Sequence, residues 1–269
     1  MSIPKLQCID ISLSPTGVAE LSFNRPDKYN SFTPQAYIDW LAALRWAAQT
    51  DAAKVTVLTG QGPYYTSGHA LAMPDFSDEH LVDKIQESQR TITQIIDEFI
   101  WFPKLLIAAV NGHAIGVGVT TLALCDVVYA VDKATFQTPF MKLGFCAEGC
   151  SSVMFPRIMG YSKANEMLMM GRVFSAQEME QCGFLSRVFP EANFRETVLL
   201  LAEEAAQFSL EAIKVTKGLI RHTDRRLLSQ VNQNEVDQLM DRMTSKDSLE
   251  SIMRFVESQK KKTAKKSKL

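Results

Sequence analysis

Short apolar runs alternate with longer helical patterns along the first two-thirds of this chain, and that alternation restricts the fold more than any other feature. Leu6 to Leu13 and Val18 to Phe23, either side of a Ser14-Pro15-Thr16-Gly17 turn, predict a hairpin. Thr33 before Pro34 predicts a helix start, and helical apolar spacing follows from Ala36 to Ala48. Val55 to Leu58 reads as a buried strand entering the loop Gly60-Gln61-Gly62-Pro63, and a helix from His80 to Phe99 should stop before Pro103. Leu105 to Val110 is a strand, turned by Asn111-Gly112 into a glycine-spaced helix of small residues up to Cys125. Asp126 to Ala130 and Thr135 to Thr138 are further strands. Such a pattern predicts an α/β architecture with helical crossovers. From about residue 193 the chain reads as helical, with Asp247 to Glu250 resembling a capping box before the last helix. The expected organisation is an α/β core over 1–200, a helical region over 201–260 and a basic tail over 261–269.

At 269 residues the chain can bury roughly three quarters of its unfolded surface, so it needs no covalent staples. With 46% hydrophobic and 22% charged residues, disorder and small disulfide scaffolds are excluded. No run reaches the ~18 uncharged apolar residues of a membrane span, because Asp126, Asp132 and Lys133 interrupt the best candidate. Asp10 falls where a secretion signal needs its apolar segment, so none is expected. Five cysteines without CxxC spacing and four scattered histidines give no metal-ligand set, and reduced thiols are expected.

Charge is unevenly spread. Six of the 29 basic residues are lysines within 260–269, which leaves 23 against 30 acidic groups, or −7, on the rest. A body of that sign is not built for nucleic acid. The basic run could be a plain solvated tail. Its last three residues, Ser267-Lys268-Leu269, form the tripeptide address read by the peroxisomal import receptor, and imply the peroxisomal matrix.

Three small-residue elements carry the candidate chemistry. In Asn111-Gly112-His113-Ala114-Ile115-Gly116-Val117-Gly118 a strand ends in a turn and a helix begins. A dinucleotide fingerprint fails there, since Thr121 stands where the third glycine belongs. Unpaired N–H groups at such a helix start can hold an anion or a developing oxyanion, and helix packing alone would also account for the glycines. Tyr65-Thr66-Ser67-Gly68-His69-Ala70 is a second such turn. Glu148 is a lone acid in Gly144-Phe145-Cys146-Ala147-Glu148-Gly149-Cys150. It is either a partly desolvated general base or a loop glutamate capping the helix that starts near Ser151.

Taken together, these elements resemble the crotonase (enoyl-CoA hydratase/isomerase) superfamily. The resemblance covers about residues 8–260. It rests on Asn24-Arg25-Pro26 with Asn30, Tyr65-Thr66-Ser67-Gly68, Ala108-Ala109-Val110-Asn111-Gly112 with Ala114-Ile115-Gly116, and Cys125-Asp126. Thr138-Pro139-Phe140, Leu143-Gly144, Glu148 to Ser152 and Phe155-Pro156, with the terminal tripeptide, are similar to the Δ3,Δ2-enoyl-CoA isomerase branch. The resemblance implies a spiral of ββα units with a helical C-terminal region that mediates trimers or hexamers. It also implies an acyl-CoA thioester substrate, a role in fatty-acid β-oxidation, and no cofactor beyond the CoA of the substrate.

Carried over residue by residue, the resemblance assigns the oxyanion-hole N–H groups to His69 and Val117. The two glutamates of hydratases would fall at Thr120 and Phe140, so both acids are absent, and Glu148 stands at the single glutamate of the isomerases. Lys28, Ser67, Gly68, Ala70, Leu71 and Gly116 would contact CoA or substrate, and Met73 to Phe76 with residues 80–100 would supply the acyl tunnel. Ala70 departs from the aspartate common in the family. The implied reaction moves a 3-enoyl-CoA double bond to the 2 position. Two other readings stay open: hydration or biosynthetic tailoring using an unexpected acid such as Asp75 or Glu98, and a non-catalytic acyl-CoA-binding member.

Overall fold

In the computed structural model, residues 1–70 and 80–266 are described. β1 (Ile9–Leu13) and β2 (Val18–Phe23) form the expected antiparallel hairpin. α1 (Pro34–Gln49) begins where Thr33 accepts the Ala36 N–H, with Pro34 at the first helical position. Thereafter the chain repeats one move: a strand in a first sheet, a short strand in a second sheet, then a helix. β3 (Val55–Gly60), β4 (Tyr64–Thr66) and α2 (Leu81–Trp101) make the first turn. β5 (Leu105–Val110), β6 (His113–Ile115) and α3 (Val117–Thr120) make the second. β7 (Val127–Val131), β8 (Thr135–Gln137) and α4 (Ser151–Leu168) make the third.

With β9 (Phe174–Ser175), α5 (Ala176–Gln181) and β10 (Arg187–Phe189) added, the first sheet has the order β1-β2-β3-β5-β7-β10 and the second β4-β6-β8-β9. Pairing from β2 through β10 in the first sheet is parallel, as is β4-β6-β8 in the second. Parallel neighbours need a crossover: α1 carries β2 to β3, and each later crossover of the first sheet contains a strand of the second. This is the predicted spiral of ββα units.

Two expectations fail locally. The segment after Asn111 is not one helix to Cys125. His113–Ile115 is a strand, α3 spans four residues, and Thr121–Leu124 is a 3₁₀ turn. Glycine and β-branched Val and Thr are weak helix formers, so pairing to β4 and β8 outweighs propensity. Nor is Asp247-to-Glu250 a capping box. α8 (Lys246–Lys266) already includes those residues, the Ser245 hydroxyl accepts the Ser248 N–H at 3.2 Å, and Asp247 pairs with Arg242.

The C-terminal helices close the cavity-bearing side. α6 (Phe194–Ala206) covers the first sheet over β3, while α7 (Leu210–Met243) runs along α2. Lys217 fastens α7 to the sheet, donating to Asp126 Oδ2 at 2.7 Å and to the Lys104 carbonyl at 2.8 Å. α8 packs on the 3₁₀ turn Phe140–Leu143, where the Ser248 hydroxyl donates to the Leu143 carbonyl at 2.9 Å. No helix among the described residues is long and apolar enough to cross a membrane. All five cysteines are free thiols.

Aromatic rings join α1, α2 and the first sheet beneath the cavity. Trp40 stacks on Phe32 at 4.7 Å and meets Phe23 and Phe99 edge-on. Buried Asn30 then fixes the loop above them. It takes a left-handed conformation (φ 53°), accepts the Arg25 N–H at 2.8 Å, and donates to the Gln61 and Tyr64 carbonyls at 2.9 and 2.8 Å. Its own carbonyl accepts the Thr66 hydroxyl at 2.7 Å. Asn30→Ala strands several buried partners and puts alanine where asparagine is better tolerated. It should cost about 2–4 kcal/mol in urea unfolding; a change below 1 kcal/mol would contradict this role.

Candidate active site

Three loops converge on one cavity of about 530 Å³, within the usual range for small-molecule sites. Close backbone contact brings them together. A Cβ on Gly68 would come within 2.8 Å of the Ile115 carbonyl oxygen, so glycine lets the β4 loop lie against the end of β6. A Cβ on Gly149 would meet Thr120 Oγ1 at 2.5 Å, so the Glu148 loop rests directly on α3. Both glycines have positive φ, 79° and 64°, which any larger side chain resists.

The two predicted oxyanion positions each present a free N–H. Phe32 bridges the β4 loop by donating to the Gly68 carbonyl and accepting from the Ala70 N–H. The His69 N–H therefore points the other way and has no acceptor among the described residues. Val117 is the first residue of α3, and its N–H likewise has none there, whereas those of Val119 and Thr120 bond the Gly116 carbonyl. His69 and Val117 line the cavity together with Ser67, Gly68 and Gly116.

Glu148 stands in the same cavity, among Ile92, Val117, Phe140, Phe145 and Leu239. Its carboxylate accepts no hydrogen bond among the described residues. Burial, reinforced by the negative charge of Glu235, pushes its pKa up to about 7. The capping role considered for Glu148 is not what its side chain does. Its backbone carbonyl takes the Ser151 hydroxyl at 2.6 Å, and the start of α4 is capped from elsewhere.

The cap comes from Glu235 of α7, a residue not recognised in the sequence. Its two oxygens accept the Cys150 N–H at 2.6 Å and the Ser152 N–H at 2.9 Å. A signal existed: Leu228, Asn232, Glu235 and Leu239 recur at helical spacing and are all buried, so two polar residues sit in an apolar stripe. Tyr37 was missed too. It lines the cavity, shares a 3.3 Å hydrogen bond with His69 Nδ1 and stacks on that ring at 5.8 Å. Burial first, and then the Glu148 charge, holds its phenol well above the ordinary value. Desolvation of the ring lowers the His69 pKa, although the residue as a whole remains exposed.

Other predicted residues are distributed differently. Lys28 is exposed on the surface and outside the cavity lining, and Ala70 is half-buried, bonded to Phe32 and not part of the lining. Thr120 is fully buried under Gly149, and Phe140 forms part of the cavity wall. Glu98 is turned away, paired with Arg45 at 2.7 Å, so it is no second acid for the cavity. Ile92, within the 80–100 stretch expected to supply apolar tunnel residues, lines the cavity, and so does the polar Gln89. Leu71, Met73 to Phe76, Asp75, and Ser267 to Leu269 lie outside the described residues. Among the described residues, no group of three or more metal-binding side chains occurs.

Paired parallel sheets wound by ββα turns, with an apolar cavity between the loops at one end, define a crotonase fold. Residues 14–266 match the enoyl-CoA hydratase/isomerase family, and the chain belongs to it. It is 39% identical over 243 residues to rat "Enoyl-CoA delta isomerase 2", covering 90% of this chain and 62% of that protein. It is 38% identical to mouse "Enoyl-CoA delta isomerase 3, peroxisomal", covering 90% and 76%. The chain thus spans less than two-thirds of the rat relative. An enoyl-CoA hydratase/isomerase structure from Pseudoalteromonas atlantica superposes with a TM-score of 0.84 at 27% identity, over 94% of this chain and 98% of that one.

The raised Glu148 pKa has a consequence for stability. The folded state holds this proton more tightly than the unfolded chain, whose carboxyl titrates near 4.5. The contribution is therefore favourable below that value and lost as pH rises through about 7. Glu148→Gln should stabilise the protein at pH 8 by about 2 kcal/mol, less than the full shift implies because the cavity admits water, and the gain should vanish near pH 4. Urea unfolding at both pH values checks this; a destabilised variant at pH 8 contradicts it.

Proposed function

We propose that this protein is a Δ3,Δ2-enoyl-CoA isomerase that uses Glu148 as its single acid–base group. The observation that carries the reading is Glu148, the one carboxylate among the described lining residues, poised near neutrality and without a hydrogen-bond donor among them, in the same cavity as two N–H groups that have no acceptor there. The thioester carbonyl oxygen would be received by the His69 and Val117 N–H groups. Glu148 would take a proton from C2, the electrons would pass into a dienolate, and the same carboxyl would return the proton at C4. Charge and proton count balance with no cofactor beyond the CoA of the substrate. One such oxyanion donor is typically worth on the order of 10²–10³ in rate. A carboxyl with a pKa near working pH can serve in both transfers.

Hydration needs a second group to activate water. Buried Thr120 and wall-forming Phe140, at the positions of the hydratase glutamates, offer no carboxylate. The apolar remainder of the cavity, from Ile92 to Leu239, Met243 and Phe255, suits an acyl chain. Lys28 would reach the CoA phosphates from the surface, and Ser67, Gly68, Ala70, Leu71 and Gly116 would flank the CoA arm. The names of the rat and mouse relatives support isomerisation. Assembly as a trimer or hexamer is part of the same reading.

Purified protein should convert a 3-enoyl-CoA to the conjugated 2-enoyl-CoA, followed by absorbance, and Glu148→Gln should lose about 10³-fold or more in kcat. An inactive native protein, or a variant that matches it, would sink the proposal.

We also propose residence in the peroxisomal matrix, on the name of the mouse relative and the Ser267-Lys268-Leu269 address. Removing those three residues should leave a tagged protein in the cytosol with unchanged turnover. Continued co-localisation with a peroxisomal marker would refute the address.

A further inference from the structure

Glu148 and Glu235 are two acids in one neighbourhood with opposite surroundings. Glu148 has no donor among the described residues, while each Glu235 oxygen receives one backbone N–H at the start of α4. Those N–H groups belong to Cys150 and Ser152, two and four residues beyond Glu148. Cys150 itself is held in a left-handed conformation (φ 63°), and its thiol donates to the Leu228 carbonyl of α7 at 3.4 Å. α7 therefore grips the turn that carries Glu148 by side chain and by backbone. The next turns of the same helix, Leu239 and Met243, form cavity wall. Asn232, one turn earlier, donates to the Thr93 carbonyl and to Asp97 of α2, which fixes the helix in rotation.

We propose that Glu235 is a positioning residue: it clamps the Glu148-Gly149-Cys150 turn and sets a negative charge near Glu148. This rests on Glu148 being the base of the proposed isomerisation.

An ionised carboxylate accepts both N–H groups well, and the positive end of α4 favours that form. Burial raises the pKa of Glu235 on balance, the N–H bonds oppose that rise, and the charge of Glu235 raises the pKa of Glu148. The other titratable groups here do not supply that charge. Burial pushes the Cys146 thiol up to about 11 and that of Cys150 higher still. Asp97 is raised by burial and faces α7 through Asn232. Arg242, further along α7, donates to the Gly144 carbonyl at 2.8 Å and pairs with Asp247.

Glu235→Gln keeps size and loses charge. Its kcat/KM profile should show the acid limb moved to lower pH, so that the fraction of plateau rate kept at pH 6 rises about twofold or more. Its kcat should fall about tenfold as the turn loosens. Glu235→Asp keeps the charge and shortens the reach, so its limb should stay at the wild-type pH while kcat falls. A ¹³C titration of the Glu148 carboxyl, assigned against Glu148→Gln, reads the same coupling without turnover, and its midpoint should drop in Glu235→Gln. That titration decides the matter even if the native protein does not turn over 3-enoyl-CoA. An unmoved limb and midpoint in Glu235→Gln, with only a lowered Tm, would overturn the proposal. Should Glu235→Gln fail to fold, wild-type kcat in Glu235→Asp would overturn it.

Discussion

Placing a carboxylate in an apolar cavity without hydrogen-bond donors costs several kcal/mol, and a protein tolerates it only when the surroundings are too rigid to relax. Glu148 is in that situation, and the placement of its neighbours follows from it. If the loop could rotate, the side chain would turn to water and regain an ordinary pKa. Gly149 lies on Thr120 with no room for a Cβ, Ser151 bonds back to the Glu148 carbonyl, and Glu235 holds the N–H groups of Cys150 and Ser152. The acid stays aimed at the cavity because the backbone N–H groups of its own turn, at Cys150 and Ser152, are committed to Glu235.

The spiral of ββα turns explains why the facing N–H groups are available. After β3, each crossover of the first sheet inserts a short strand of the second immediately before a helix or loop, so the ends of β4, β6 and β8 lie side by side. His69 follows β4, Val117 follows β6, and the Glu148 loop comes after β8. Parallel order thus brings together residues far apart in the chain. Asn30 performs a related service at the rim, tying the Arg25 turn to the Gln61–Tyr65 loop that precedes His69. The buried aromatic stack of Phe32 and Trp40 supports that rim from below.

Legibility in the sequence followed the range of the interactions. The first-sheet strands and α1 were readable because their signals are local: apolar runs, a Thr33 cap and Pro34. β6 was not, since three residues carry no periodicity and its stability comes from β4 and β8. Asp247 and Glu250 imitate a cap, yet Ser245 makes the bond. At the site, Glu148 stood out as one acid among small apolar residues. Glu235 did not, because its meaning depends on Cys150 and Ser152, more than 80 residues away. Tyr37 likewise reads as an ordinary helix residue until His69 is folded beside it.

In the proposed isomerisation one carboxyl stands in place of two, and this changes what the remaining structure must do. A two-acid site divides labour between a base and an acid, and each can stay at a fixed ionisation state. A one-acid site must release and recapture the same proton, so its carboxyl has to sit near neutrality in the resting protein. Burial alone would raise the pKa of Glu148 but would leave the charged form poorly placed. A second charge behind it, held by its own pair of N–H groups, raises the pKa while the clamp keeps the carboxyl aimed into the cavity. α7 is therefore part of the site's electrostatics as well as its wall, which accounts for a buried glutamate in the Leu228–Leu239 stripe where an apolar residue would pack more easily.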